Sequence, residues 1–118
     1  MSWLDGQDMR VLERFLDVSS MRQTLVSTNL ANVDTPGYHT RDVDFRGELA
    51  RAMNGDTQDG MSPFVMPVRG LLARPDGNNV NPDRESMLLA EVQLQFKAAT
   101  SILRAEFARI HSAIHEGQ

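Results

Sequence analysis

The chain has 118 residues, the size of one small domain, and 41% of them are hydrophobic. Its formal net charge of −4 argues against nucleic-acid binding, which usually relies on a basic patch. The sequence contains no cysteine, so disulfides and thiolate metal sites are excluded.

The beginning of the chain is acidic and has no apolar run of the kind found in a secretory signal peptide. No stretch approaches the roughly 20 apolar residues that a membrane-spanning helix needs. Composition alone therefore predicts a soluble protein without a cleaved signal peptide, which would stay in the cytoplasm.

Residues 1–33 are predicted to form an N-terminal helix. The part from residue 7 to residue 33 contains neither proline nor glycine. Apolar side chains recur there at helical spacing, with Val11, Val18 and Leu25 seven residues apart. Such a stripe favours a helix that buries one face against a partner.

Residues 34–80 form a turn-rich middle segment that holds most of the prolines and glycines. The sequence Thr-Pro-Gly-Tyr at 35–38 fits a type II turn, because Gly37 can take the positive φ that the third position requires. Residues 41–45 alternate like a short strand, residues 45–53 can form one or two helical turns, and residues 64–72 can supply extended segments. Little other regular structure is expected, and residues 53–62 are predicted to be disordered.

Residues 81–118 are predicted to form a C-terminal helix that begins with Asn81 as its cap and Pro82 at its first position. Gly117 is expected to end it. Apolar residues seven apart define a stripe along this helix, which Glu106 interrupts. We call the following residues the assembly stripe: Leu89, Val92, Phe96, Leu103, Phe107, Ile110 and Ile114.

These segments predict an all-α fold, in which two long terminal helices pair as an antiparallel helical hairpin or coiled coil. The middle segment would be irregular and partly disordered. A hairpin buries one stripe of each helix, and this chain has more apolar residues than one seam between two helices needs. We therefore expect neighbouring subunits to cover the surplus.

Few residues suggest catalytic chemistry. His111 and His115 are four apart on a predicted helix and could bind one metal ion, with Glu116 as a third ligand. Two surface histidines near a helix C-terminus, where positive charge is favoured, are the better explanation of the spacing, because no further ligand cluster is visible in the sequence. The sequence has no glycine-rich phosphate loop and no nucleophile elbow. We therefore predict no enzyme activity, no catalytic or metal site, and no cofactor.

Residues 29–38 resemble the signature of flagellar rod and hook proteins, an Ala-Asn-x-x-Thr-Pro-Gly-Tyr sequence that follows an N-terminal helix. Residues 41–45 and 76–80 resemble, within that group, the FlgB family of proximal rod subunits. The chain departs from this family at Val92, where asparagine is common, and at Phe96, where tyrosine is common. The residues of the family motif are Asn29, Ala31, Asn32, Thr35, Pro36, Gly37 and Tyr38.

The resemblance implies a structural subunit of the proximal rod of the bacterial flagellar basal body. Such a subunit would leave the cytoplasm through the flagellar type III export apparatus, without a cleaved signal peptide, and reside in the periplasmic rod. Its partners would be that apparatus, copies of itself and other rod subunits, with no nucleic acid, small-molecule substrate or membrane insertion. Family members carry a Phe-x-x-x-apolar export-gate motif, which Phe45 and Leu49 fit, although Phe45 could equally belong to a small core.

Three alternatives remain at this point. Another axial subunit of the rod or hook would share the motif, but residues 41–45 and 76–80 argue against it. A cytoplasmic coiled-coil adaptor or secretion chaperone would stay inside the cell, whereas a rod subunit would co-purify with basal bodies. A small metalloenzyme built on His111 and His115 would contain bound metal.

Overall fold

The computed structural model describes residues 6–56 and 61–117. Within these ranges the chain forms helix α1 (Gly6–Ala31), strand β1 (Arg41–Val43), helix α2 (Phe45–Met53), strand β2 (Val65–Pro67) and helix α3 (Pro82–Glu116). The predicted all-α fold with two long terminal helices and a less regular middle is confirmed. Residues 57–60, in the stretch predicted to be disordered, lie outside the described residues, as do residues 1–5 of the predicted first helix.

Helices α1 and α3 pack side by side and run in opposite directions. The end of α1 meets the beginning of α3, where the Asn29 side chain donates to the Glu85 carboxylate at 3.0 Å. The beginning of α1 lies beside the middle of α3, where Leu12 and Ile102 line the same groove. The same register, with Asn29 at Glu85 and Leu12 at Ile102, places the start of α1 near residue 108, so about the last eight residues of α3 extend past the described part of α1. We call residues 103–116 the overhang; its first turns still lie beside the beginning of α1, and its last turns project beyond it by roughly 12 Å.

The beginning of α3 follows from its capping residues. The Asn81 side-chain oxygen accepts hydrogen bonds from the amides of Asp83 and Arg84, at 3.0 and 3.2 Å. Pro82 occupies the first helical position, where a missing amide proton costs nothing. Both predictions are confirmed, and Gly117 caps the C-terminus by donating to the carbonyl of Ala113 at 3.1 Å.

The apolar residues of α3 fall into two columns with a spacing of seven residues, and only the column of Val92 and Ala99 is buried; the other column consists of Leu89, Phe96, Leu103 and Ile110. Val92 and Ala99 are small, so α1 can approach α3 closely along their column, whereas the larger Leu89 and Leu103 are half-buried beside it. Glu106, which interrupts the stripe in the sequence, also lies in the buried column. The buried residues of α3 fall at every seventh position: Glu85, Val92, Ala99 and Glu106.

A second face of α1 packs against the middle segment. The Phe15 and Phe45 rings meet edge to face with their centroids 5.4 Å apart, a favourable aromatic geometry. Helix α1 therefore contributes to two interfaces, whereas α3 packs mainly against α1 among the described elements. The hydrophobic cluster between α1 and the middle segment consists of Val18, Leu25 and Val43, with Met21, Phe45 and Val65 partly buried around it.

The middle segment contains the short elements that the sequence predicts. Strands β1 and β2 pair antiparallel, with Asp42 opposite Met66. Helix α2 begins after Asp44, whose carboxylate accepts from the amide of Gly47 at 3.2 Å. None of the helices that the structure describes combines the length and apolarity needed to cross a membrane.

Replacing Val92 with Asp tests the position of the buried column. Val92 is 1% exposed, so the new carboxylate would be buried without a partner. We expect the free energy of unfolding to fall by roughly 3–5 kcal/mol, measured by urea denaturation with circular dichroism. Leu94→Asp is the matched control, because Leu94 is 69% exposed and should tolerate the change within about 0.5 kcal/mol. Equal losses in both variants would contradict the assigned register.

Candidate functional site

The family motif forms a turn held against the end of α1. The Tyr38 amide donates to the Thr35 carbonyl at 3.2 Å, and Gly37 has a φ of +73°, so the predicted type II turn is confirmed. The Asn32 side chain donates to the Thr28 carbonyl at 2.8 Å and accepts from the Thr35 hydroxyl at 3.0 Å. The turn is thus fixed to the helix by its own side chains.

A second turn, at residues 74–77, packs directly on the first. The Gly77 amide closes it by donating to the Arg74 carbonyl at 2.8 Å, and the Gly37 amide donates to the Asp76 carbonyl at 2.8 Å. Gly77 has a φ of +87°, and a Cβ atom there would lie 3.4 Å from the Cα atom of Gly37. Two glycines therefore let the two turns touch through their backbones.

Asn78 links the same two turns through a buried side chain. Its amide nitrogen donates to the carbonyls of Asn32 and Thr35, at 2.8 Å each, and its oxygen accepts from the Val80 amide at 2.8 Å. An apolar side chain here would remove all three bonds and leave the buried Val80 amide without its acceptor, which is costly. Asn78 therefore fixes the position of the motif turn relative to the start of α3.

Asn29 is the centre of the site. Its oxygen accepts from the Tyr38 hydroxyl at 2.8 Å and from the Arg41 amide at 3.2 Å. Its nitrogen donates to the Arg41 carbonyl at 2.9 Å and to the Glu85 carboxylate at 3.0 Å. These four bonds use the full hydrogen-bonding capacity of an asparagine side chain. One buried amide thus joins α1, the motif turn, β1 and α3.

Glu85 supplies the charge at this centre. It is fully buried, and its other oxygen accepts from the Arg84 guanidinium at 2.6 Å. Burial raises the pKa of Tyr38; the Arg41 charge opposes this rise and the Glu85 charge adds to it. The Tyr38 phenol therefore stays protonated at neutral pH and donates its hydrogen bond to Asn29.

An ion pair beside the centre connects α1 to β1. The Arg22 guanidinium donates two hydrogen bonds to the Asp42 carboxylate, both 3.2 Å long. The same guanidinium lies 5.6 Å from the centroid of the Phe45 ring, a cation–π distance. Arg84 approaches Asp42 at 3.9 Å from the α3 side, so this carboxylate also faces both terminal helices.

A buried carboxylate attaches α2 to α1 at the other end of the middle segment. Glu48 accepts from the Arg14 guanidinium and from the Phe64 amide, at 2.7 Å each, and pairs with Arg51 at 3.0 Å. Arg14 also donates to the Met61 carbonyl. Burial raises the pKa of Glu48, but the hydrogen bonds lower it more, so the pKa lies below its ordinary value.

The sequence predicts only part of this site. Of the family motif, Asn29 and Tyr38 point into the network, whereas Ala31, Thr35, Pro36 and Gly37 remain largely exposed. The sequence marks residues 76–80 as a turn and as a family resemblance, without identifying their contacts with the motif. It gives no signal that Glu48 or Glu85 would be buried, because their partners are 34 and 56 residues away in the chain.

The residues of the predicted export-gate motif lie one turn apart on α2. Phe45 packs against the hydrophobic cluster and Leu49 is half-buried. Neither side chain is presented on the surface of the folded chain as a free motif would be. Their role in export stays a prediction.

The two histidines lie at the exposed end of the overhang. The rings of His111 and His115 meet edge to face with centroids 4.3 Å apart. Among the residues that the structure describes, no group of three or more potential ligands converges there or elsewhere, so Glu116 does not complete a site. The arrangement shows two adjacent surface imidazoles and no further chemistry.

The assembly stripe divides into a buried and an exposed part. Val92 lies inside the hairpin, where it is 1% exposed in the single chain. Phe107, Ile110 and Ile114 lie on one face of the overhang, at positions three and four apart, and are exposed. The role of the stripe in assembly stays a prediction. The large apolar residues exposed on α3 are Met87, Leu94, Phe96, Ile102, Phe107, Ile110 and Ile114.

Comparison with known proteins gives a consistent group of relatives. The flagellar basal body rod protein FlgB of Borreliella burgdorferi is 32% identical, over 83% of this chain and 88% of that protein. The FlgB proteins of Borrelia hermsii and Yersinia ruckeri are 31% and 29% identical, over 86% and 97% of this chain and 90% and 97% of their own lengths. No family model matches the sequence.

Replacing Asn29 with Asp tests the central amide without changing its shape. The change removes both donors and places a second carboxylate 3.0 Å from that of Glu85. We expect a loss of roughly 3–5 kcal/mol in the free energy of unfolding, measured by urea denaturation. Asn54→Asp makes the same chemical change at an exposed residue and should cost less than about 1 kcal/mol, the cost of a negative charge at the C-cap of α2. A loss in Asn29→Asp no greater than in this control would contradict the central role.

The lowered pKa of Glu48 predicts how stability depends on pH. Because the folded-state pKa lies below the unfolded value, the contribution of Glu48 is fully present above the unfolded pKa. It is lost as the pH falls through the folded pKa. Urea titrations between about pH 6 and pH 3 should show a smaller loss of stability on acidification in Glu48→Gln than in the unmodified protein. Identical pH dependence in the two proteins would show that Glu48 is not held ionised by these contacts.

Proposed function

Because the chain belongs to the FlgB family of flagellar basal body rod proteins, we propose that it is a structural subunit of the proximal rod, assembled through its two terminal helices. The family membership carries this proposal, since relatives 31% and 32% identical match most of both chains. The same membership supports a structural role in the basal body rod and gives no reason to expect enzyme activity.

The exposed face of the overhang supports assembly through the helices. Folded monomers rarely leave a contiguous apolar patch uncovered, and Phe107, Ile110 and Ile114 lie on one face with no described element against them. The overhang projects from one end of an elongated subunit that measures 68 by 26 by 19 Å. A projecting face that binds a different face of the next subunit produces an open, helical assembly, which is the symmetry of a rod.

The partners that follow from this proposal are copies of the chain, other rod and basal-body subunits, and the flagellar type III export apparatus. The subunit would leave the cytoplasm through that apparatus and take its place in the periplasmic part of the rod. If Phe45 and Leu49 act as an export-gate motif, they do so before the chain folds, because in the folded chain Phe45 packs on Phe15 and the hydrophobic cluster.

Deleting the gene and restoring it with variants tests the proposal in the bacterium itself. The deletion strain should grow normally and fail to swim in soft agar. Ile110→Asp should fail to restore swimming, because it places a charge on the apolar face that neighbours would cover. Ser112→Asp, a charge at another exposed position of the overhang, should restore it.

Thermal denaturation of the purified Ile110→Asp protein provides the control for folding. Ile110 is exposed, so the melting temperature should stay within a few degrees of the unmodified value. A deletion strain that swims would contradict the function itself. A strain that swims with Ile110→Asp would contradict the role of the overhang and leave the family assignment in place.

A further inference from the structure

The strongest unexplained feature of the molecule is the carboxylate of Glu106. Glu106 lies on the buried column of α3 and is 1% exposed. Neither of its oxygens accepts a hydrogen bond in the part of the chain that the structure describes. The Arg109 guanidinium forms an ion pair with one oxygen at 3.8 Å, a distance too long for a hydrogen bond, and nearly half of the Arg109 side chain is exposed.

At the other end of the same column, a second buried carboxylate is hydrogen-bonded. Glu85 occupies the equivalent position three heptads earlier and is also fully buried. It accepts from Asn29 at 3.0 Å and from Arg84 at 2.6 Å. The column thus has a carboxylate at each end, and only the end at the family motif is satisfied by hydrogen bonds.

Burying a carboxylate without hydrogen bonds is costly, so local separation of α1 from α3 becomes more favourable when it exposes the carboxylate to water or to a cation. Glu106 lies one turn beyond Ile102, which lines the apolar groove between α1 and α3. It also lies one residue before Phe107, on the exposed face of the overhang. Opening at this end would therefore expose the carboxylate at the junction between the seam and the surface proposed for assembly.

We propose that Glu106 keeps the far end of the α1–α3 seam easy to open, so that a lysine or arginine of the neighbouring rod subunit can pair with it during assembly. This inference rests on the proposed function. It commits to a basic side chain, because the only cation paired with Glu106 among the described residues, Arg109, stays at 3.8 Å and forms no hydrogen bond to the carboxylate, and a helix of another axial subunit can deliver a closer cation onto the apolar overhang. The buried Glu106 carboxylate lowers the stability of the monomer, and pairing with a cation in the assembled rod compensates for this loss.

The Glu106→Met variant tests the first half of the inference. Methionine has a similar length, is unbranched and has no charge, so it can fill the same space. The melting temperature of the purified full chain should rise by roughly 5 °C, and amide exchange in residues 99–106 should slow. Glu91→Met makes the same change at an exposed position of α3 and should leave both measurements unchanged. A lower melting temperature for Glu106→Met would overturn the proposal, because it would show that the carboxylate is already satisfied in the monomer.

Swimming of the deletion strain complemented with each variant tests the second half. Glu106→Met should reduce swimming at least tenfold and Glu91→Met should not. Glu106→Asp keeps the charge and Glu106→Gln keeps the shape. If a cation pairs with this position, the strain with Glu106→Asp should swim better than the strain with Glu106→Gln. Normal swimming with Glu106→Met, or equal swimming with Asp and Gln, would overturn the inference. Either result leaves the proposed function intact, since only swimming of the deletion strain itself would contradict that.

Discussion

The rest of the structure depends on the side-chain amide of Asn29. A long helical hairpin needs something to fix which turn of one helix faces which turn of the other, and apolar side chains alone tolerate sliding. Asn29 sets this register with four hydrogen bonds to three other segments, the motif turn, β1 and α3, all of which must be in place at once. Buried polar networks of this kind contribute specificity, because a shifted arrangement would leave polar groups unpaired.

The two glycine turns then transmit that register to the start of α3. The backbone contact between Gly37 and Gly77 and the three hydrogen bonds of Asn78 hold the segment before Asn81 against the end of α1. Residues 29–38 therefore act as half of a clamp, and residues 74–80 form the other half. This explains why the sequence signature follows the first helix, because its polar residues position the second helix.

Much of the fold can be predicted from the sequence, because local signals specify it. Helical periodicity, the Asn81–Pro82 start and the positive φ of Gly37 each depend on a few neighbouring residues. The clamp cannot be predicted in the same way, since nothing near Asn29 in the chain indicates Glu85 as its partner. The buried column of α3 illustrates the same limit. Periodicity finds two apolar columns, and only the approach of α1 at Val92 and Ala99 decides which of them is covered.

The seven-residue spacing of the buried column also constrains how the chain can change in length. The outward face of the overhang is tied to the hairpin by one continuous helix, so its direction depends on the number of residues between Ala99 and Phe107. Removing a single residue there would rotate Phe107 and Ile110 by about 100° around the helix axis. Removing seven would rotate them by only about 20° while drawing them back by about 10 Å. Insertions and deletions in this helix should therefore be tolerated in relatives mainly in multiples of seven residues. Each would require a compensating shift in the surface that the overhang contacts.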